Sequence, residues 1–119
     1  MNQTYDFYSG YEGEPEYVFR LTQVSSHRIH TWGGHIDAIM SAVAPGPSGW
    51  HSLAKYYHLD EGWFEESPWL VPELSTALDQ LESVNISGLD EEPKRVLTAL
   101  CELFQAALDQ DLGVVIVYD

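Results

Sequence analysis

The sequence has very few basic residues. Of its 119 residues, five are Lys or Arg and nineteen are Asp or Glu, so the formal net charge at pH 7 is −14. This charge repels phosphate backbones and anionic lipid headgroups, which argues against DNA, RNA and anionic membranes as partners. It attracts basic proteins, and it exceeds the roughly 2–8 charges that keep a small domain soluble. The composition therefore favours binding to a cationic macromolecule.

Cysteine and long apolar runs are also scarce. Cys101 is the single cysteine, so no disulfide can form within the chain, and its apolar helical context predicts a small buried hydrophobe. The apolar run at residues 114–118 is far too short to span a bilayer. Residues 1–16 have neither a basic start nor an apolar run, so no secretory signal is recognised. These absences predict a cytoplasmic protein without a membrane segment.

Apolar residues are present in the proportion that a folded domain needs. The chain is 45% hydrophobic and 13% aromatic, which distinguishes it from a disordered acidic tail. At this length, folding buries roughly two-thirds of the surface of the unfolded chain. We expect one domain that covers residues 1–119.

Hydrophobic periodicity predicts an α+β fold. Strands are expected at residues 4–8 and 114–118, and a third strand within residues 16–29 remains an alternative to the helix predicted there. The predicted helices cover residues 16–29, 36–43, 52–59, 72–84 and 90–110. We expect a small sheet that includes the N- and C-terminal strands, paired with each other and covered by about four to five helices in two layers.

Three acidic clusters are candidates for a partner-binding surface. The first lies in a glycine-containing turn, the second is interleaved with aromatic residues between two prolines, and the third begins a helix. They consist of Glu12, Glu14 and Glu16; of Asp60, Glu61, Glu65 and Glu66, beside Trp63 and Trp69; and of Asp90, Glu91 and Glu92. Helix N-termini favour acids, so the third cluster is best explained structurally. The first two are the predicted partner-binding residues.

The second cluster combines acids and aromatics in a way that suits docking on a basic protein. Interfaces place aromatic anchors at the centre and complementary charge around them. The alternative is that Trp63, Phe64 and Trp69 turn into the core while the acids face water. Sequence alone leaves both interpretations open.

No pattern for catalysis, metal binding or a cofactor is recognised. His27, His30 and His35, with Asp37, match no zinc spacing, although His27 and His30 would share one face of the predicted helix. The Ser-Gly pairs lack the frame of a nucleophile elbow, and Gly33-Gly34 has no nearby Lys for a phosphate. We therefore expect a non-enzyme without cofactor or metal. A small enzyme or metal protein stays as a lesser hypothesis.

One stretch of the sequence is similar to a known class of bacterial proteins. SSHRIHTWGGHIDAIMSAVAPG (residues 25–46) resembles the helix, WG turn and short Ile-Met helix of one group of immunity proteins from polymorphic-toxin and contact-dependent growth inhibition systems. PELSTALDQLESV, LTALCELFQAAL and the closing strand follow in a similar order.

This resemblance implies a protein that binds and neutralises a cognate toxin domain, often a cationic nuclease. We expect the chain to be a monomer or a weak dimer. The toxin would be the C-terminal domain of an exported effector. A different hypothesis, a small acidic secretion chaperone for an effector protein, would imply a dimer that holds an extended segment. Either function requires a protein partner and performs no chemistry.

Overall fold

The computed structural model describes residues 3–23, 27–43, 55, 57, 68–84 and 86–118. They form a five-stranded mixed sheet with helices packed on one face, which confirms the α+β class. The strands are β1 (Gln3–Phe7), β2 (Glu16–Leu21), β3 (His27–Trp32), β4 (Trp69–Leu70) and β5 (Val114–Tyr118). The helices are α1 (Gly33–Ser41), α2 (Leu74–Glu82) and α3 (Glu91–Asp109), with a single 3-10 turn at Ile86–Gly88.

The helix predicted over residues 16–29 is wrong, because this part of the chain contains β2 and the start of β3. Tyr17, Phe19 and Leu21 are buried and alternate with half-buried neighbours, which is the period-two pattern of a strand covered on one face. The third strand that sequence analysis allowed here is therefore present, and a further strand follows it. The first predicted helix of the stretch that resembles immunity proteins is likewise strand β3 over most of its length.

The sheet order is β1-β3-β2-β5-β4. The first strand runs parallel to β3, and all other neighbours are antiparallel. Both terminal strands thus belong to the sheet as predicted, but the expectation that they pair with each other is wrong because β3 and β2 lie between them.

Strand β5 has the predicted bounds and an interior position between β2 and β4. Val114 and Ile116 are fully buried, while Val115 and Val117 on the opposite side are half-buried. This position explains why nearly every residue of the strand is apolar.

The three described helices match three of the five predicted ones. Residues 52–59 lie outside the described part of the chain, apart from the helical positions 55 and 57. Asp90 occupies the predicted N-cap position of α3, but its side chain makes no capping hydrogen bond. Glu91 and Glu92 follow in the first turn, where the helix dipole favours anions.

The core lies between the sheet and the helices. Phe19, Ile29 and Ile116 of the sheet and Leu100 and Phe104 of α3 belong to one buried cluster, and all five side chains are at most 1% exposed. None of the helices in the described ranges is both long enough and apolar enough to cross a membrane.

Candidate protein-docking surface

The acidic turn, residues 8–16, joins β1 to β2 and is held by local hydrogen bonds. The Asp6 carboxylate accepts hydrogen bonds from the backbone N–H groups of Tyr8 at 2.9 Å and Ser9 at 3.0 Å. The Tyr8 hydroxyl donates to the carbonyl oxygen of Glu14 at 2.6 Å, which closes the turn from the other side. These bonds give the turn a defined shape without burying its carboxylates.

Glu12 is exposed at the tip of this turn and stays ionised. Its carboxylate oxygens accept from the Gly10 N–H at 3.2 and 3.1 Å. This bond, followed by that of its own N–H, lowers the pKa of Glu12, with the Asp6 charge opposing the shift. Gly10 and Gly13 have φ angles of 99° and 97°, a conformation that other residues adopt only with strain.

A shallow cavity of about 310 Å³ lies between the turn and the sheet. Its wall is formed by Asp6, Tyr8, Ser9, Glu12, Glu16 and His30. His30 Nδ1 lies 3.0 Å from Glu16 Oε2, so a protonated or Nδ1–H imidazole donates to this carboxylate. Of the predicted first cluster, Glu12 and Glu16 therefore share one cavity, whereas Glu14 is exposed outside it.

Sequence analysis did not connect Asp6 and His30 with the acidic turn. The two residues are partners in the parallel pairing of β1 with β3, so they meet only through the topology of the sheet. No short-range pattern in the sequence could have indicated this contact, because parallel pairing joins segments that are distant along the chain.

An aromatic cluster supports the base of the acidic turn. The rings of Tyr11 and Trp32 stack with centroids 4.3 Å apart and planes 4° from parallel. His35 meets both rings edge-on, at 5.4 Å from Tyr11 and 5.1 Å from Trp32. A Cβ atom on Gly34 would lie 2.4–2.6 Å from the Trp32 ring, so only glycine leaves room for it. The Trp-Gly-Gly motif therefore positions the turn as well as ending the strand.

His35 also connects this cluster to the third acidic cluster. Its side chain is 5% exposed, and its Nε2 lies 3.4 Å from Glu92 Oε2. The approach lacks hydrogen-bond geometry, and Nε2 has no hydrogen-bond partner in the part of the chain described here. Glu92 thus packs at the start of α3 beside His35, which agrees with the structural interpretation of this cluster.

The second predicted cluster falls almost entirely outside the described residues. Those outside are Asp60, Glu61, Trp63, Glu65 and Glu66, so their role stays a prediction. Trp69 is described: it lies in β4, pairs with Ile116 of β5 and is 8% exposed. Its side chain faces the core, which is the alternative that the sequence left open, and in this conformation it offers no anchor to a partner.

The histidines do not assemble the arrangement considered for a metal. His27 and His30 lie three positions apart on strand β3, so their side chains point to opposite faces of the sheet rather than sharing a helical face. His27 is buried, its Nε2 has no hydrogen-bond partner within the described ranges, and burial lowers its pKa. Among the described residues, no group of three or more His, Cys, Asp or Glu is placed to hold a metal ion.

Comparison with protein families, curated proteins and solved structures finds no match to this chain. The functional interpretation therefore depends on the residues of this chain alone. The acidic turn presents the carboxylates of Glu12 and Glu14 to solvent, with a shallow cavity beside them and stacked aromatic rings beneath. Chemically, such a surface can accept the ammonium or guanidinium groups of a basic partner.

Proposed function

We propose that this protein is a cytoplasmic immunity protein that binds and neutralises a cognate, cationic toxin domain of the nuclease type. The observation that supports this proposal best is the acidic turn, where the exposed carboxylate of Glu12 is held by the Gly10 N–H, beside exposed Glu14 and the adjoining Asp6 carboxylate, which the backbone of Tyr8 and Ser9 holds. The net charge of −14 adds a long-range attraction for a basic partner.

The local hydrogen bonds of the turn suit an inhibitor. A surface that is ordered before binding loses less conformational entropy when the complex forms, so more of the interaction energy appears as affinity. The surrounding negative charge speeds encounter with a basic partner and disfavours acidic ones. A nuclease site is basic because it holds phosphates, so an acidic inhibitor carries the same charge as the substrate that it displaces.

The interface predicted from the sequence also includes the second cluster. Its acids Asp60, Glu61, Glu65 and Glu66 supply additional charge in this proposal, with Trp63 as the apolar anchor. Inhibition by docking requires no catalytic group, cofactor or metal in this chain, and the proposed protein is not an enzyme.

The experiment is a binding measurement with the C-terminal domain of the exported protein encoded beside this chain. The test variant carries Glu12→Gln, Glu14→Gln and Glu16→Gln. The control carries Glu73→Gln, Asp79→Asn and Asp111→Asn, which remove the same charge from exposed positions elsewhere. We expect the turn variant to lower the association rate at least tenfold at low salt, and the control to lower it much less.

Two results would contradict this proposal. A neighbouring domain that neither binds the protein nor is inhibited by it removes the immunity function. Equal losses in the two variants would show that net charge acts without the geometry of the turn. A variant in which Asp60, Glu61, Glu65 and Glu66 become amides tests the second cluster in the same assay.

The secretion-chaperone hypothesis is favoured by a different feature, the edge of the sheet. Among the described strands, β1 pairs only with β3, so its other edge can accept an added strand. A cavity of about 360 Å³ beside it is lined by Tyr5 and Phe7 together with residues of α3. Binding of an unfolded effector segment by a dimer supports this function, whereas binding of only a folded domain by a monomer contradicts it.

A further inference from the structure

A groove of about 550 Å³ runs along α3 beside the end of α2, and no residue of the acidic turn lines it. Its apolar residues, all on α3, are the largely buried Leu97 at the floor and the half-buried Cys101 and Ala106. Three exposed carboxylates border it, from Glu82 at the end of α2 and from Glu102 and Asp109 on α3. No Lys or Arg is found among the described residues that line this groove, which we term the acidic groove.

The groove extends along three turns of α3. Its lining residues reach from Leu97 to Asp109, and at 1.5 Å per residue this distance is about 18 Å. That length matches the contact face of a short helix, which presents apolar side chains at every third or fourth position.

The negative field extends down to the apolar residues of the groove. The pKa of the Cys101 thiol is raised to about 11, first by burial and then by the charges of Glu82 and Glu102. The Gln105 side chain donates to Asp109 Oδ1 at 3.0 Å, which holds this carboxylate at the border. Carboxylates held around apolar residues complement a ligand that carries apolar and cationic groups together.

We infer that the acidic groove binds an amphipathic, cationic helix of a partner protein. The apolar side chains of that helix would cover Leu97, Cys101 and Ala106, and its Lys or Arg side chains would meet Glu82, Glu102 and Asp109. The binding energy comes from the apolar contacts, and the ion pairs select a basic helix over an acidic one. This inference concerns a separate surface and is independent of the proposed immunity function.

Cys101 makes the test specific, because it is the single thiol of the chain and lies within the groove. The probe is a synthetic helix of about 18 residues with Leu on one face and Lys on the other. The control peptide has the same composition in scrambled order. We expect the amphipathic helix to slow alkylation of Cys101 at least tenfold at saturation at about 0.15 M salt, and the scrambled peptide to leave the rate nearly unchanged.

Matched variants distinguish binding in the groove from general attraction by the overall charge. Changing Glu82→Gln, Glu102→Gln and Asp109→Asn should weaken binding of the helix by about tenfold. The variant with Glu73→Gln, Asp79→Asn and Asp111→Asn loses the same charge outside the groove and should bind almost as the unmodified protein does. Circular dichroism of both variants checks that they are folded.

Two outcomes would overturn the inference. One is equal protection of Cys101 by the scrambled peptide, or equal losses in the two variants, since either result means nonspecific attraction. The other is an unchanged rate of Cys101 alkylation in the unmodified protein with the amphipathic helix, since the groove is then empty. Neither outcome bears on toxin binding, which is measured with a different partner.

Discussion

Replacing Gly34 with Ala tests whether the aromatic cluster fixes the acidic turn. An added Cβ would lie 2.4–2.6 Å from three atoms of the Trp32 ring, so the indole has to move. The ring stacks on Tyr11, and Tyr11 lies within the turn that presents Glu12 and Glu14. The substitution therefore perturbs the turn through its aromatic support without altering a carboxylate.

The expected loss of stability follows from three contributions. Forcing a side chain out of a filled site costs about 1–3 kcal/mol, and loss of an aromatic pair costs about 0.5–1.5 kcal/mol. Ala is favoured over Gly within a helix by about 1 kcal/mol, which offsets part of this loss because Gly34 lies in the first turn of α1. We expect the free energy of unfolding to fall by about 1–3 kcal/mol.

The assay is urea unfolding followed by circular dichroism, and Gly88→Ala is the control. A Cβ on Gly88 has no atom within 4 Å, and its backbone is not in the left-handed region. The control should leave stability unchanged or raise it by about 0.4–1 kcal/mol, because Ala restricts the unfolded chain more than Gly does.

A double-mutant cycle with Tyr11→Ala completes this test. If Gly34→Ala acts by separating Trp32 from Tyr11, the double variant should lose about 0.5–1.5 kcal/mol less than the sum of the two single losses. The reasoning fails if Gly34→Ala is as stable as Gly88→Ala, or if the effects of Gly34→Ala and Tyr11→Ala add without coupling.

Three further predictions concern buried groups. Burial lowers the pKa of His27 from 6.5, so proton binding favours the unfolded chain and stability falls as pH drops below about 6.5. In His27→Leu, the free energy of unfolding should fall less steeply between about pH 7 and pH 5. An unchanged dependence of this free energy on pH would contradict the prediction. Because its thiol has a pKa of about 11 instead of 9.0, Cys101 should react with iodoacetamide about 100-fold more slowly near pH 8 than cysteine in a peptide. A rate equal to that of the peptide would contradict the burial of the thiol. Leu100 in α3 is 1% exposed, so Leu100→Ala should lower the free energy of unfolding by about 2–5 kcal/mol in urea unfolding. A loss below about 1 kcal/mol would contradict this prediction and mean that the site repacks.

The elements with a single dominant pattern were predictable from sequence. The strand at residues 114–118 consists of β-branched and aromatic residues and has no competing helical stripe. The apolar stripe of residues 90–110, which forms α3, is long and amphipathic, so only the ends of the helix were uncertain. Local periodicity decides such segments because their burial requires one geometry.

The helix prediction for residues 16–29 was wrong because a helical and a strand periodicity coexist there. Tyr17, Leu21 and Val24 fit helical spacing, while Tyr17 and Phe19 alternate as in a strand. The chain turns near Gln23, which has a φ of 65°, and glutamine gives no turn signal. The pairing of β2 with strands on both sides then decides the outcome, and that information lies far away in the chain.

Only the local part of the candidate docking surface could be predicted from the sequence, and its role in partner binding stays a prediction. Glu12, Glu14 and Glu16 were identified from a dense local run of acids, and the structure places them on one turn. The contact of His30 with this surface depends on the pairing of β3 with β1 and β2. The contribution of Trp32 depends on the space above Gly34, which no composition-based reasoning reveals.

The interior place of β5 has a consequence for biosynthesis. The hairpin of β2 and β3 can form early, but one edge of β2 stays open until residues 114–118 have left the ribosome. Until then the nascent chain exposes an apolar strand edge, a state that is prone to aggregate. Repulsion between chains that carry such an excess of acids opposes this aggregation.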